Sequence, residues 1–135
     1  MPRLLAIPLI LLTAACATTT YTDTTKFGAP IAGWPELTVV EHHLSDAEMR
    51  AACAMVMPSG PEPAGCAYVH LDTARCDVYF GQSRATHALV RSHELKHCAG
   101  RDHVGDSRLY DLWRKWQLWE SAVARSRDEL PTGRN

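Results

Sequence analysis

The sequence predicts a small α+β domain: a short sheet with a hairpin, a central helix carrying a histidine cluster, and a long C-terminal helix. Runs rich in β-branched and aromatic residues at 37–44, 66–71 and 76–80 predict the strands. Apolar residues at helical spacing over 84–99 and 107–130 predict the two helices. Finally, 135 residues suit a single domain, and 14 Lys+Arg against 15 Asp+Glu leave no basic footprint for nucleic acid. A hydrophobic content of 46% supports a core, though a small one.

The chain opens with Arg3 and the apolar run Leu4 to Leu12, too short to span a bilayer as a helix and shaped like an export signal. Leu12-Thr13-Ala14-Ala15-Cys16 follows. Small residues before a cysteine resemble the lipobox of bacterial lipoproteins. The resemblance implies cleavage before Cys16, acylation of Cys16, and a membrane partner reached through lipid rather than through a span. With Ala17 next, it implies the outer membrane, facing the periplasm. An ordinary Ala-x-Ala-like secretory site is the alternative, and it too exports the chain. Residues 17–34 place six Thr among Ala, Gly and Pro with little apolar periodicity, the composition of a tether. The expected organisation is a signal peptide at 1–15, a lipidated Cys and Thr-rich tether at 16–34, a folded domain at 35–130 and a tail at 131–135.

Leu37 to Leu44 reads as the first strand. Ser45-Asp46-Ala47-Glu48 is a capping box that starts a helix running to about Met57. Pro58 to Gly65 cannot continue that helix. Cys66–Leu71 and Cys76–Phe80 then form a hairpin around Asp72 to Arg75. Gly81 and Gln82 break the second strand. Ser83 is the expected N-cap of a helix from Arg84 to Ala99, with Leu89 on the face of His93. The last helix, Ser107 to Leu130, carries Leu109, Leu112, Trp113, Trp116, Trp119 and Val123. It is expected to pack as core over the base of the histidine site. An interfacial helix resting on lipid headgroups, helped by Arg114, Lys115 and Arg125, is the alternative.

The chemistry concentrates in His93-Glu94-Leu95-Lys96-His97-Cys98-Ala99-Gly100-Arg101-Asp102-His103, which reads H-E-x-x-H-x-x-G-x-x-H. On a helix, His93 and His97 stand one turn apart on one face. Glu94, about 100° round the axis, is placed to reach a water on an ion held by them. Gly100 is a helix stop, beyond which His103 can return as a third ligand. Three protein ligands plus a water is the pattern of a catalytic zinc.

This motif resembles the metzincin signature of zinc-dependent endopeptidases, over Ser92 to His103 only. The resemblance implies a zincin-like domain, Zn²⁺ on His93, His97 and His103, and Glu94 as general base in peptide-bond hydrolysis. It also implies that a hairpin strand before the motif helix holds an extended peptide substrate; an ordinary buried hairpin is the alternative. Metzincins carry a methionine turn beneath the metal after the third ligand, whereas Met1, Met49, Met55 and Met57 all precede His103. The expected function is therefore that of a minimal, lipid-anchored zinc endopeptidase acting on envelope proteins or peptidoglycan peptides. The alternative is a zinc-binding envelope lipoprotein that is a non-catalytic interaction module.

Among other candidates, Asp102 or Asp106 would be third ligand if His103 were not, and Asp102 would otherwise orient a ligand histidine. Tyr110 is a candidate oxyanion donor by the same resemblance. His42, His43, His70 and His87 read as surface or hydrogen-bonded histidines. Setting Cys16 aside leaves Cys53, Cys66, Cys76 and Cys98, an even number suited to disulfides in an oxidising compartment. Three pairings are possible. The expected one is Cys66–Cys76, stapling the hairpin, with Cys53–Cys98 tying the two helices.

Overall fold

The computed structural model describes residues 23–56, 64–82 and 87–128. The expected signal peptide, Cys16, the first part of the expected tether, the expected N-cap Ser83 and the expected tail lie outside the described residues. In chain order the elements are β1 (Thr38–Leu44), α1 (Asp46–Cys53), β2 (Gly65–His70), β3 (Arg75–Gly81), α2 (His87–Cys98) and α3 (Arg108–Asp128). The domain is thus small and α+β, with a mixed three-stranded sheet and a long last helix. No helix among the described residues is long and apolar enough to cross a membrane.

The capping box forms as its residues dictate. Ser45 Oγ accepts from Glu48 N, and the Glu48 carboxylate accepts from Ser45 N at 3.0 Å. The sheet order is β1-β3-β2, with β3 in the centre, parallel to β1 and antiparallel to β2. Side chains alternate across a strand, so β3 presents Cys76, Val78 and Phe80 to one face and Asp77 and Tyr79 to the other. On the first face, Val90 and Cys98 of α2 complete a core with Cys76, Val78 and Phe80. On the second, Met49 and Cys53 of α1 pack with Cys66, against Tyr68 and Tyr79.

That face assignment overturns the expected disulfide pairing. Val69, not Cys66, stands opposite Cys76, and Val69 lies an odd three positions on from Cys66. Cys66 and Cys76 therefore point to opposite faces of the sheet and cannot meet. Each bonds the helix on its own side: Cys53–Cys66 and Cys76–Cys98, both with Cα atoms 5.7 Å apart. Two such links, worth about 2–4 kcal/mol each, reinforce two shallow half-cores.

Two other regions differ from expectation. Residues 23–34, within the stretch read as tether, lie against the loop after α2. Gly28 N donates to Asp102 O, Val104 N to Lys26 O and Ile31 N to Gly100 O, at 2.9, 2.9 and 3.0 Å. Trp34 closes this strap, its indole N–H donating to Cys98 O at 2.9 Å. The helix α3, expected over the base of the histidine site, instead meets the Trp34 turn. Trp113 is its buried anchor, 6.0 Å from the Trp34 ring and stacked on Trp116. Leu118 and Trp119 remain 67% and 54% exposed. Of the apolar stripe expected to pack as core, only Trp113 is buried, and Leu112 is exposed.

Candidate metal centre

The helix α2 delivers His93 and His97 from adjacent turns, and buries Glu94 beside them. It ends as the glycine requires. Gly100 adopts φ +72°, Gly100 N donates to His97 O and Arg101 N to Lys96 O. This pair of bonds is the Schellman closure, which satisfies the last carbonyls and reverses the chain. The reversed segment pairs with the strap, through a bridge between Phe27 and His103. His103 is thereby brought back onto the imidazoles of α2.

One ligand atom from each of His93, His97 and His103 lies within 4.8 Å of the others, and the three could hold a metal ion. Hydrogen bonding selects the atoms. His97 Nδ1–H donates to Arg101 O at 2.9 Å, and His93 Nδ1–H donates to Asp23 Oδ2 at 3.2 Å. Both rings are then left with an Nε2 lone pair. His93 Nε2 faces His103 Nε2 at 3.0 Å, a separation that asks for a proton or a cation between them.

The charges agree. Burial, and after it the neighbouring His103, pushes His97 down to about 4, against the opposing hydrogen bond to Arg101. Burial and His93 also hold His103 below the ordinary histidine value. Neutral imidazole is the ligand form. Burial pushes the Glu94 carboxyl up to about 8, and the Asp23 carboxylate adds to that push. A cation among the imidazoles would supply buried Glu94 with a counter-charge. The residues present therefore fit a bound metal ion.

Glu94 lies on the sheet side of the cluster. A Cβ built on Gly65, at the start of β2, would stand 3.6 Å from Glu94 Cγ and 2.8 Å from Val90 Cγ1. Glycine there lets α2 approach the sheet. The strand β2 is an outer strand, and among the described residues no other strand pairs with its free edge.

The remaining candidates have other duties. Asp102 accepts from Leu109 N and Tyr110 N, and so caps α3. Asp106 pairs with Arg108, Oδ2 to Nη2 at 2.6 Å. Neither joins the cluster that could hold an ion, whose third member is His103. The Tyr110 side chain is half exposed. On the sheet, His42 donates to Asp77 Oδ1 over 2.6 Å and stacks on Tyr79, His70 lies 3.4 Å from Asp77, and His43 lies against Phe80. The His87 side chain lies outside what the structure describes. Sequence reasoning missed Asp23 and Phe27. Phe27 touches all three imidazoles, at 4.8, 5.2 and 5.0 Å between ring centroids. Their only local signal was a lone acid, and one of three aromatics, in a Thr-rich stretch. No family model, no curated protein and no solved structure matches this chain.

Proposed function

We propose that this chain is a lipid-anchored zinc endopeptidase of the bacterial cell envelope. The observation that carries the reading is the three-histidine cluster with buried Glu94 on the adjoining helix position. An all-imidazole donor set suits zinc, and three ligands leave a position for water. The chemistry the ion supplies when bound is acidification of that water and polarisation of a peptide carbonyl. Glu94 takes the proton from the water and passes it to the leaving amine. The desolvated setting that raises its proton affinity suits a group that must both accept and return a proton. The free edge of β2 receives the substrate backbone in extended form, next to Glu94. Disulfides at Cys53–Cys66 and Cys76–Cys98 support export, because such bonds persist in oxidising compartments. Acylation at Cys16 then holds the domain at the outer membrane, facing the periplasm.

The test is Glu94→Gln. Zinc content should stay near one per chain, while cleavage of a denatured protein or of peptidoglycan stem peptides falls by at least about 10²-fold. A variant that cleaves like the native chain would overturn the mechanism. Native protein that binds zinc and cleaves neither class of substrate would favour the non-catalytic binding module instead.

A further inference from the structure

The histidine motif accounts for three ligands and a base, but not for what holds the imidazoles in place. We propose that the strap residues Asp23 and Phe27 are positioning residues of the metal centre: Asp23 fixes the His93 ring, and Phe27 is the floor on which all three imidazoles rest. The inference depends on the three-histidine metal site and adds two residues from outside the motif.

Asp23 is built for the role. Its Oδ1 accepts from Thr25 N at 3.0 Å, so the local turn orients the carboxylate. That leaves Oδ2 for His93 Nδ1, at 3.2 Å, with only about a tenth of either side chain exposed. A carboxylate on the far nitrogen of a ligand histidine holds the ring in one tautomer and one orientation, and makes the other nitrogen a better donor. Loss of such a partner typically costs 10–100-fold in metal affinity.

Phe27 lies almost equally far from His93, His97 and His103. The three imidazoles are themselves 5.3, 5.0 and 4.7 Å apart, so the ring sits on the axis of the triad rather than beside one member. The side it occupies follows from the helix. Round α2, Glu94 projects about 100° from His93 in one direction and Lys96 about 60° in the other. Lys96 Nζ stands 4.6 Å over the Phe27 ring. Phe27 therefore closes the Lys96 side and leaves the Glu94 side, which faces β2, for chemistry. Its backbone is fastened by the bridge to His103, so the floor and the third ligand move as one unit.

The experiment measures zinc affinity of the full, oxidised chain by competition with a chromophoric chelator, alongside thermal melts of the metal-free forms. Asp23→Ala should weaken zinc by 10–100-fold with little change in the metal-free melt, and Asp23→Asn should fall between. In the cobalt-loaded chain, Asp23→Ala should also shift the visible d–d bands. Phe27→Ala should weaken zinc at least about tenfold, and Phe27→Leu, which refills the apolar volume, should recover most of it. If Phe27→Ala does not fold, the Asp23 pair and the cobalt bands decide. Zinc affinities of Asp23→Ala and Phe27→Ala both within twofold of native, with unshifted cobalt bands in Asp23→Ala, would overturn the proposal while leaving the metal site standing. Tighter zinc binding or faster turnover in Phe27→Ala would make Phe27 a plug, and would equally overturn it. Native chain that takes up no zinc, or His97→Ala that binds as well as native, would instead overturn the metal site itself.

Discussion

Gly100 carries more of the site than its size suggests. Its φ of +72° lies in the left-handed region, and a Cβ there would stand 2.5 Å from the Trp34 ring. Gly100→Ala therefore meets both a backbone cost and an overpacked indole. We expect it to lower the unfolding free energy by about 2–4 kcal/mol, measured by urea denaturation of the oxidised chain. Zinc binding should weaken as well, because the same turn returns His103 to the triad. An alanine variant as stable as native would show that Trp34 shifts freely. At this scale the site was largely legible: His93, Glu94, His97, Gly100 and His103 sit within eleven residues, and helix geometry over that span is a local property. Asp23 was not legible, because its partner His93 is 70 residues away.

The elements themselves were readable from periodicity, and their observed bounds fall within a few residues of those expected. The strand β1 begins at Thr38 rather than Leu37, and α1 stops at Cys53, short of Met57. What periodicity could not supply was register. Alternation tells which residues share a face, but only pairing tells which face meets which helix. The parallel pairing of β1 with β3 puts β3 in the centre, and the register of β2 on β3 sends Cys66 and Cys76 to opposite helices. Peptide mapping of the unreduced protein should return Cys53–Cys66 and Cys76–Cys98, and no Cys66–Cys76 peptide. Recovery of the hairpin staple would contradict the register of β2 on β3.

Over the whole molecule, the half-cores on the two sheet faces are closed by short helices, while α3 stands largely apart. Among the described residues, its hold on the domain is Trp113 against Trp34, the Asp102 cap, and Arg108 Nη1 donating to Val56 O. A chain ending at Glu120 should keep its zinc affinity and lose no more than about 1 kcal/mol of stability. Trp113→Ala should cost about 3–5 kcal/mol; both follow from thermal or urea unfolding. A large loss on truncation would mean that the outer turns of α3 are packed. The sequence by itself determined the three-histidine cluster, the glutamate beside it, the helix stop and the identity of each element, because these rest on spacings of a few residues. Only the tertiary structure decided the central place of β3, the disulfide pairing, the docking of α3 on the Trp34 turn, and the strap that seats Asp23 and Phe27 against the histidines. Those features join residues far apart in the chain, and no local periodicity encodes which of several compatible surfaces will meet.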